Sequence, residues 1–193
     1  MRLIIIVFII SMANLGCETV MPIFNEQEAF NHLLAQCEFG PRNPGSEGHT
    51  KTKKYILNFV KERADTVIVQ DFSFKSALEN KNHNGTNIIA RVNPASNTQI
   101  LIGAHWDTRP LADQDQDSRN YEKPILGAND GASGVAVLLE LVDLLSDNRP
   151  DIGINFVFFD AEDSGVSSEN ESLSLIHISE PTRRYAISYA VFC

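Results

Sequence analysis

Apolar positions recur along this chain with two different periods. Over residues 26–37 they fall at Ala29, Phe30, Leu33, Leu34 and Cys37, the stripe of a helix with one buried face. The run Phe39-Gly-Pro-Arg-Asn-Pro-Gly45 breaks that pattern, and Ser46 is placed to cap a second helix whose stripe includes Tyr55, Ile56, Phe59 and Val60. The period then shortens to two: residues 66–74 alternate, are rich in β-branched side chains and predict a strand. A turn-rich stretch over 80–85 leads into a second strand at 87–92. Residues 99–104 and 155–159 are continuous apolar runs, as in strands buried on both faces. Between them a polar loop covers 107–127 and a helical stripe covers 132–145. Strands alternating with helices predict an α/β fold, a mixed, mostly parallel sheet flanked by helices. Ligands of such sheets bind beyond the carboxyl ends of the strands.

Composition narrows the classes. With 43% hydrophobic and 21% charged residues in 193, the chain is neither disordered nor a polytopic membrane protein. A formal charge of −9 without a Lys/Arg-rich run argues against nucleic acid as a partner. The first residues place Arg2 before an apolar run at 3–10, too short for a permanent span and laid out as an export signal. Gly16-Cys17 resembles a bacterial lipoprotein cleavage site. Residues 1–16 are therefore expected to be a signal peptide. The mature protein would be exported, in the periplasm or anchored to the cell envelope through a lipid on Cys17, its only expected membrane contact. Cys193 lies in a distinct tail, which leaves Cys37 without an internal disulfide partner.

That tail is unlike the rest. Residues 173–183, Leu-Ser-Leu-Ile-His-Ile-Ser-Glu-Pro-Thr-Arg, resemble a translated transposase-type sequencing-library adapter. Residues 187–193, Ile-Ser-Tyr-Ala-Val-Phe-Cys, resemble the flow-cell primer site that follows such an adapter, in the same frame. The expectation is that 17–171 form the N-terminal part of a catalytic domain and that 172–193 are not native.

Three chemically capable clusters adjoin the buried elements. His105-Trp-Asp107 closes one strand, Gly127-Ala-Asn-Asp130-Gly-Ala-Ser-Gly134 opens a helix, and Asp160-Ala-Glu162-Asp163-Ser-Gly165 closes the next strand. An imidazole and several carboxylates converging on one rim supply the mixed N/O ligands of a catalytic zinc site. Asp130, at a helix start, is expected to have its carboxylate oriented by backbone amides. The Glu162-Asp163 pair suits a division of labour, one carboxylate on the metal and one free as general base. Asp113-x-Asp115-x-Asp117 looks like the opening of a calcium loop, but Ser118 stands where the glycine belongs, and a solvated acidic loop is expected.

The segments Gly103-Ala-His105-Trp-Asp107-Thr-Arg-Pro110, Leu126-Gly-Ala-Asn-Asp130-Gly-Ala-Ser-Gly134 and Phe158-Phe-Asp-Ala-Glu162-Asp163-Ser-Gly165 resemble the zinc-dependent exopeptidases, a family of aminopeptidases and glutaminyl-peptide cyclotransferases. The similarity to bacterial glutaminyl cyclases is closer, through His-Trp-Asp-Thr-Arg-Pro, Asp-Ala-Glu-Asp and the 39–45 run. The resemblance implies a zinc exopeptidase-like fold, incomplete at the C-terminus. It also implies Asp130 and Asp163 as zinc ligands, Glu162 as the general acid/base, His105 on a second zinc or as a polar wall, and Asp107 as support for the neighbouring ligand. The implied activity is zinc-dependent cyclisation of N-terminal glutamine on peptides or proteins, with release of ammonia. The alternatives are a zinc aminopeptidase and a non-catalytic truncated fragment. The family's further histidine ligand lies well downstream of Asp-Ala-Glu-Asp. Beyond that segment this chain offers only His177, inside the adapter-like tail. The chain as it stands is expected to be inactive.

Overall fold

Two side-chain caps start the N-terminal helices. Asn25 accepts from Glu28 N–H at the head of α1 (Glu26–Glu38), and Ser46 accepts from His49 N–H at the head of α2 (Glu47–Lys61). The Ser46 hydroxyl also donates to Pro41 O at 2.9 Å, so one side chain closes the turn and caps the helix. Ser46→Ala should lower stability by about 1 kcal/mol, read as a lower urea midpoint with an unchanged slope.

The computed structural model describes residues 21–165 and, as backbone, a strand at Ser188–Val191. The expected signal peptide, Cys17 and His177 lie outside the described residues. After α2 come β1 (Thr66–Lys75), β2 (Asn82–Val92), β3 (Gln99–His105), α3 (Gly134–Asp147), β4 (Gly153–Phe159) and β5 (Ser188–Val191). They form one sheet in the order β1-β2-β4-β3-β5. The β1–β2 and β2–β4 pairs are antiparallel, while β3 runs parallel to both β4 and β5. This is the expected mixed sheet, and its parallel part carries the site. The pairing of β5 shows that the outer edge of β3 accepts a strand; it does not bear on the origin of the 172–193 segment.

One strand boundary differs from expectation. Asn82-His-Asn-Gly85 reads as turn by composition, yet β2 starts at Asn82 and pairs with the whole of β1, from Lys75↔Asn82 to Thr66↔Arg91. Cross-strand pairing overrides the weak local preference, as β-propensity generally allows.

The core lies between the helices and one face of the sheet. Ile56 and Val60 of α2 and Val135, Leu138, Leu139 and Val142 of α3 meet Ile88, Ala90 and Val92 of β2 and Ile154, Phe156 and Phe158 of β4. Strand alternation sends Val157 and Phe159 to the opposite face, where they join Leu101 and Ile89. This explains why 155–159 reads as a continuous apolar run. Among the described residues no helix is long and apolar enough to cross a membrane, and Cys37 is free.

Candidate metal centre

The parallel pairing of β3 with β4 brings two strand ends to the same level. His105 lies opposite Phe159, and Trp106 N–H donates to Phe159 O at 2.9 Å, carrying the ladder one step past both strands. His105-Trp106-Asp107 and Asp160–Asp163 therefore leave the sheet side by side. Trp106 is fully buried and donates its indole N–H to Thr86 O, so its two neighbours turn toward the rim.

Asp107 organises the rim. Its carboxylate is fully buried and accepts Glu162 N–H on Oδ1 and Asp163 N–H on Oδ2, both at 3.1 Å. Oδ1 also faces His105 Nδ1 at 3.6 Å, an ion-pair contact beyond hydrogen-bond range. Asp107 thus holds the backbone of the turn that carries Glu162 and Asp163. The 162–164 turn is secured further by Ala77 N–H on Ser164 O and by Arg109 Nη1 on Gly165 O, each at 3.2 Å.

One ligand-capable atom each from His105, Glu162 and Asp163 fall within 4.8 Å of one another. Asp130 joins through the imidazole, whose Nε2–H donates to Asp130 Oδ1 at 2.7 Å. Here the structure corrects the expectation that helix amides orient Asp130. The residue lies in a kinked turn, Ala128–Ser133, with φ −106 and ψ 102, four residues ahead of α3. That extended backbone aims the carboxylate at His105, where its side chain stays 74% exposed. Gly131 is required beside it, because a Cβ there would sit 2.2 Å from His105 O. The structure thus brings His105, Glu162 and Asp163 together, with Asp107 holding the Glu162–Asp163 backbone, while Asp130, expected as a ligand, reaches the group only through His105 Nε2. The buried, unbonded His105 Nδ1 and this donor set of one nitrogen and several carboxylate oxygens fit a zinc ion.

Three supporting residues were not foreseen as such. His49 of α2 stacks on Trp106 (4.3 Å between centroids) and places Nε2 3.0 Å from both oxygens of buried Asp160. Asp160 also accepts Thr86 N–H at 2.7 Å. Gln36 of α1 donates to Ala132 O at 3.1 Å, bracing the Asp130 turn from below. A histidine or glutamine isolated on a helix carries no motif, and only their burial reveals these partners. In the acidic loop, Asp113 pairs with Arg109 and Asp117 with Arg119, as a solvated loop would.

Comparison with known proteins places this geometry. Residues 87–176 match Peptidase family M28. Glutaminyl cyclase of Bacteroides thetaiotaomicron is 37% identical, with a TM-score of 0.73 over 80% of this chain and 53% of that one. A Zn-dependent exopeptidase from Parabacteroides distasonis is 30% identical, with a TM-score of 0.80 over 88% of this chain and 61% of its own. Glutaminyl-peptide cyclotransferase of Bos taurus is 28% identical over 134 residues, 64% of this chain but 35% of that protein. The chain thus spans about a third of that relative and between half and two thirds of the two solved structures. Its α/β architecture is that of the zinc exopeptidases.

The electrostatics of the rim follow from crowding. Burial disfavours a charged imidazole at His105, but Asp107, then Asp163 and Glu162, outweigh it and push the ring up to about 10. Burial, reinforced by the Asp107 charge, pushes Asp163 up to about 7. Desolvation likewise raises Glu162, with His105 opposing. Both raised values mean that the folded, metal-free domain holds protons that the unfolded chain releases. The resulting stability is lost as pH rises, from 3.8 through about 7 for Asp163 and from 6.5 through about 10 for His105. Zinc must displace those protons, so its apparent affinity should climb by about tenfold or more per pH unit between pH 6 and 8. Calorimetric titration in buffers of different ionisation enthalpy measures both the slope and the protons released; a flat profile would contradict the arrangement.

Proposed function

We propose that this chain is part of an exported zinc enzyme that cyclises N-terminal glutamine of peptides or proteins to pyroglutamate. The observation that carries the reading is Glu162 at the strand-end rim, a carboxylate oxygen within 4.8 Å of ligand-capable atoms of His105 and Asp163, with its backbone held by Asp107. Similarity to glutaminyl cyclases supports the choice of reaction. His105, Asp130 and Asp163 would hold the metal. Zinc, when bound, supplies a Lewis acid that polarises the glutamine side-chain carbonyl and stabilises the oxyanion.

The chain's own part is proton management. Glu162 takes a proton from the α-amine as that nitrogen attacks the side-chain carbonyl carbon, then delivers it to the departing ammonia. The C–N bond formed closes the five-membered ring, and the C–N bond broken releases NH3. Desolvation holds the Glu162 pKa above that of an ordinary carboxyl, which suits a group that must both accept and return a proton. Ring closure is intramolecular, so positioning supplies much of the rate.

The second reading is a zinc aminopeptidase, favoured by the TM-score of 0.80 with the exopeptidase. There Glu162 would take its proton from water. A Gln-initiated peptide incubated with the full-length protein separates the two: ammonia without peptide-bond cleavage supports the cyclase, and free amino acid supports the peptidase. One zinc per chain favours the first, two the second. Export rests on the 1–16 segment and lipid anchoring on Cys17. The adapter origin of 172–193 is tested by reading the source DNA past the Glu171 codon in an adapter-free amplicon.

A further inference from the structure

The 39–45 run contributes to the family resemblance without contributing any chemistry to the rim. Its Arg42 is fully buried, at 0% exposure. Nε donates to Trp106 O at 3.0 Å, Nη1 to Leu126 O at 2.8 Å and Nη2 to Gly127 O at 2.7 Å, while the Arg42 backbone N–H donates to Thr108 Oγ1 at 2.8 Å. None of these bonds goes to a carboxylate. A fully buried guanidinium serving only neutral carbonyls is unusual, since buried charges are normally paired. Its charge is opposed by burial and supported from the rim by Asp107, Asp163 and Asp130.

The identity of the acceptors explains the arrangement. Trp106 is the residue between His105 and Asp107. Leu126 and Gly127 open the turn that carries Asp130. One planar fork therefore joins the backbones of two segments about 20 positions apart in sequence, each of which brings a metal-capable side chain to the rim. Gly127 is fitted to it, with a left-handed φ of 62 and no room for a side chain: a Cβ there would lie 2.9 Å from Nη2. We infer that Arg42 is the positioning residue of the metal centre, clamping the His105 segment to the Asp130 turn so that His105 Nε2 and Asp130 Oδ1 meet. This inference rests on the metal reading above.

Lysine keeps the charge but lacks the planar fork that reaches these three carbonyls. In the full chain, Arg42→Lys should weaken zinc binding by about tenfold or more, as loss of an outer support typically does, measured by competition with a chromophoric chelator. Arg42→Ala should weaken it further, and millimolar methylguanidinium should restore part of the loss. Amide exchange should quicken at 105–108 and 126–131 while the β1–β2 hairpin keeps wild-type protection. Wild-type zinc affinity in Arg42→Lys, or exchange rising evenly across hairpin and helices, would overturn the clamp and leave the metal reading standing. A wild-type chain that binds no zinc would overturn the metal reading, and the positioning role with it.

Discussion

Glu162→Gln in the full-length protein is expected to cut turnover by a factor of about 10²–10⁴, the usual worth of a positioned acid/base, and to leave zinc bound. Glutamine has the shape of glutamate, and its backbone N–H still reaches Asp107, so the 162–164 turn is retained. What is lost is the carboxylate that can take and return a proton. The structure makes the test sharp, because it groups Glu162 with His105 and Asp163 within 4.8 Å. A ligand role for Glu162 would make zinc affinity fall together with activity. A base role separates the two measurements. Unchanged turnover would sink both the cyclase and the peptidase readings, since each routes its proton through this side chain.

The parts of this site that could be read without a structure are those carried by strand ends. His105, Glu162 and Asp163 follow short apolar runs that read as buried strands, and strand ends of an α/β sheet are where chemistry collects. Asp107 follows from the same logic, two residues beyond His105 on the path leaving β3. Asp130 could be placed near the rim but not oriented, because whether its carboxylate faces helix amides or His105 depends on one pair of backbone angles in a kinked turn. Arg42, Gln36, His49 and Asp160 were hidden for a different reason. Each acts through a partner distant in sequence: Arg42 reaches Trp106 across 64 positions and His49 reaches Asp160 across 111. No local period encodes such a pairing. The early start of β2 has the same origin, since residues 82–85 are strand only because β1 lies beside them.

Asp107→Asn tests how far the rim depends on a residue that touches no substrate. The carboxylate uses one oxygen for Glu162 N–H and the other for Asp163 N–H, and an amide can supply only one acceptor. The second position becomes an NH2 group facing an N–H donor, so one buried amide loses its partner. That should lower the stability of the metal-free domain by about 1–3 kcal/mol. The charge that does most to hold His105 protonated disappears as well, so the His105 pKa should fall. Two consequences pull in opposite directions. A less basic His105 gives up its proton to zinc more easily, whereas a loosened 162–164 turn presents Asp163 and Glu162 less well. The geometric loss should dominate at pH 8, where zinc affinity is expected to drop by about 10–100-fold, the range for removing an outer support of a metal ligand. The pH dependence of binding should flatten at the same time, because fewer protons are displaced. If affinity rises at every pH, Asp107 acts on the centre through charge alone. If stability falls while affinity and its pH slope stay at wild-type values, Asp107 holds the fold and not the metal centre.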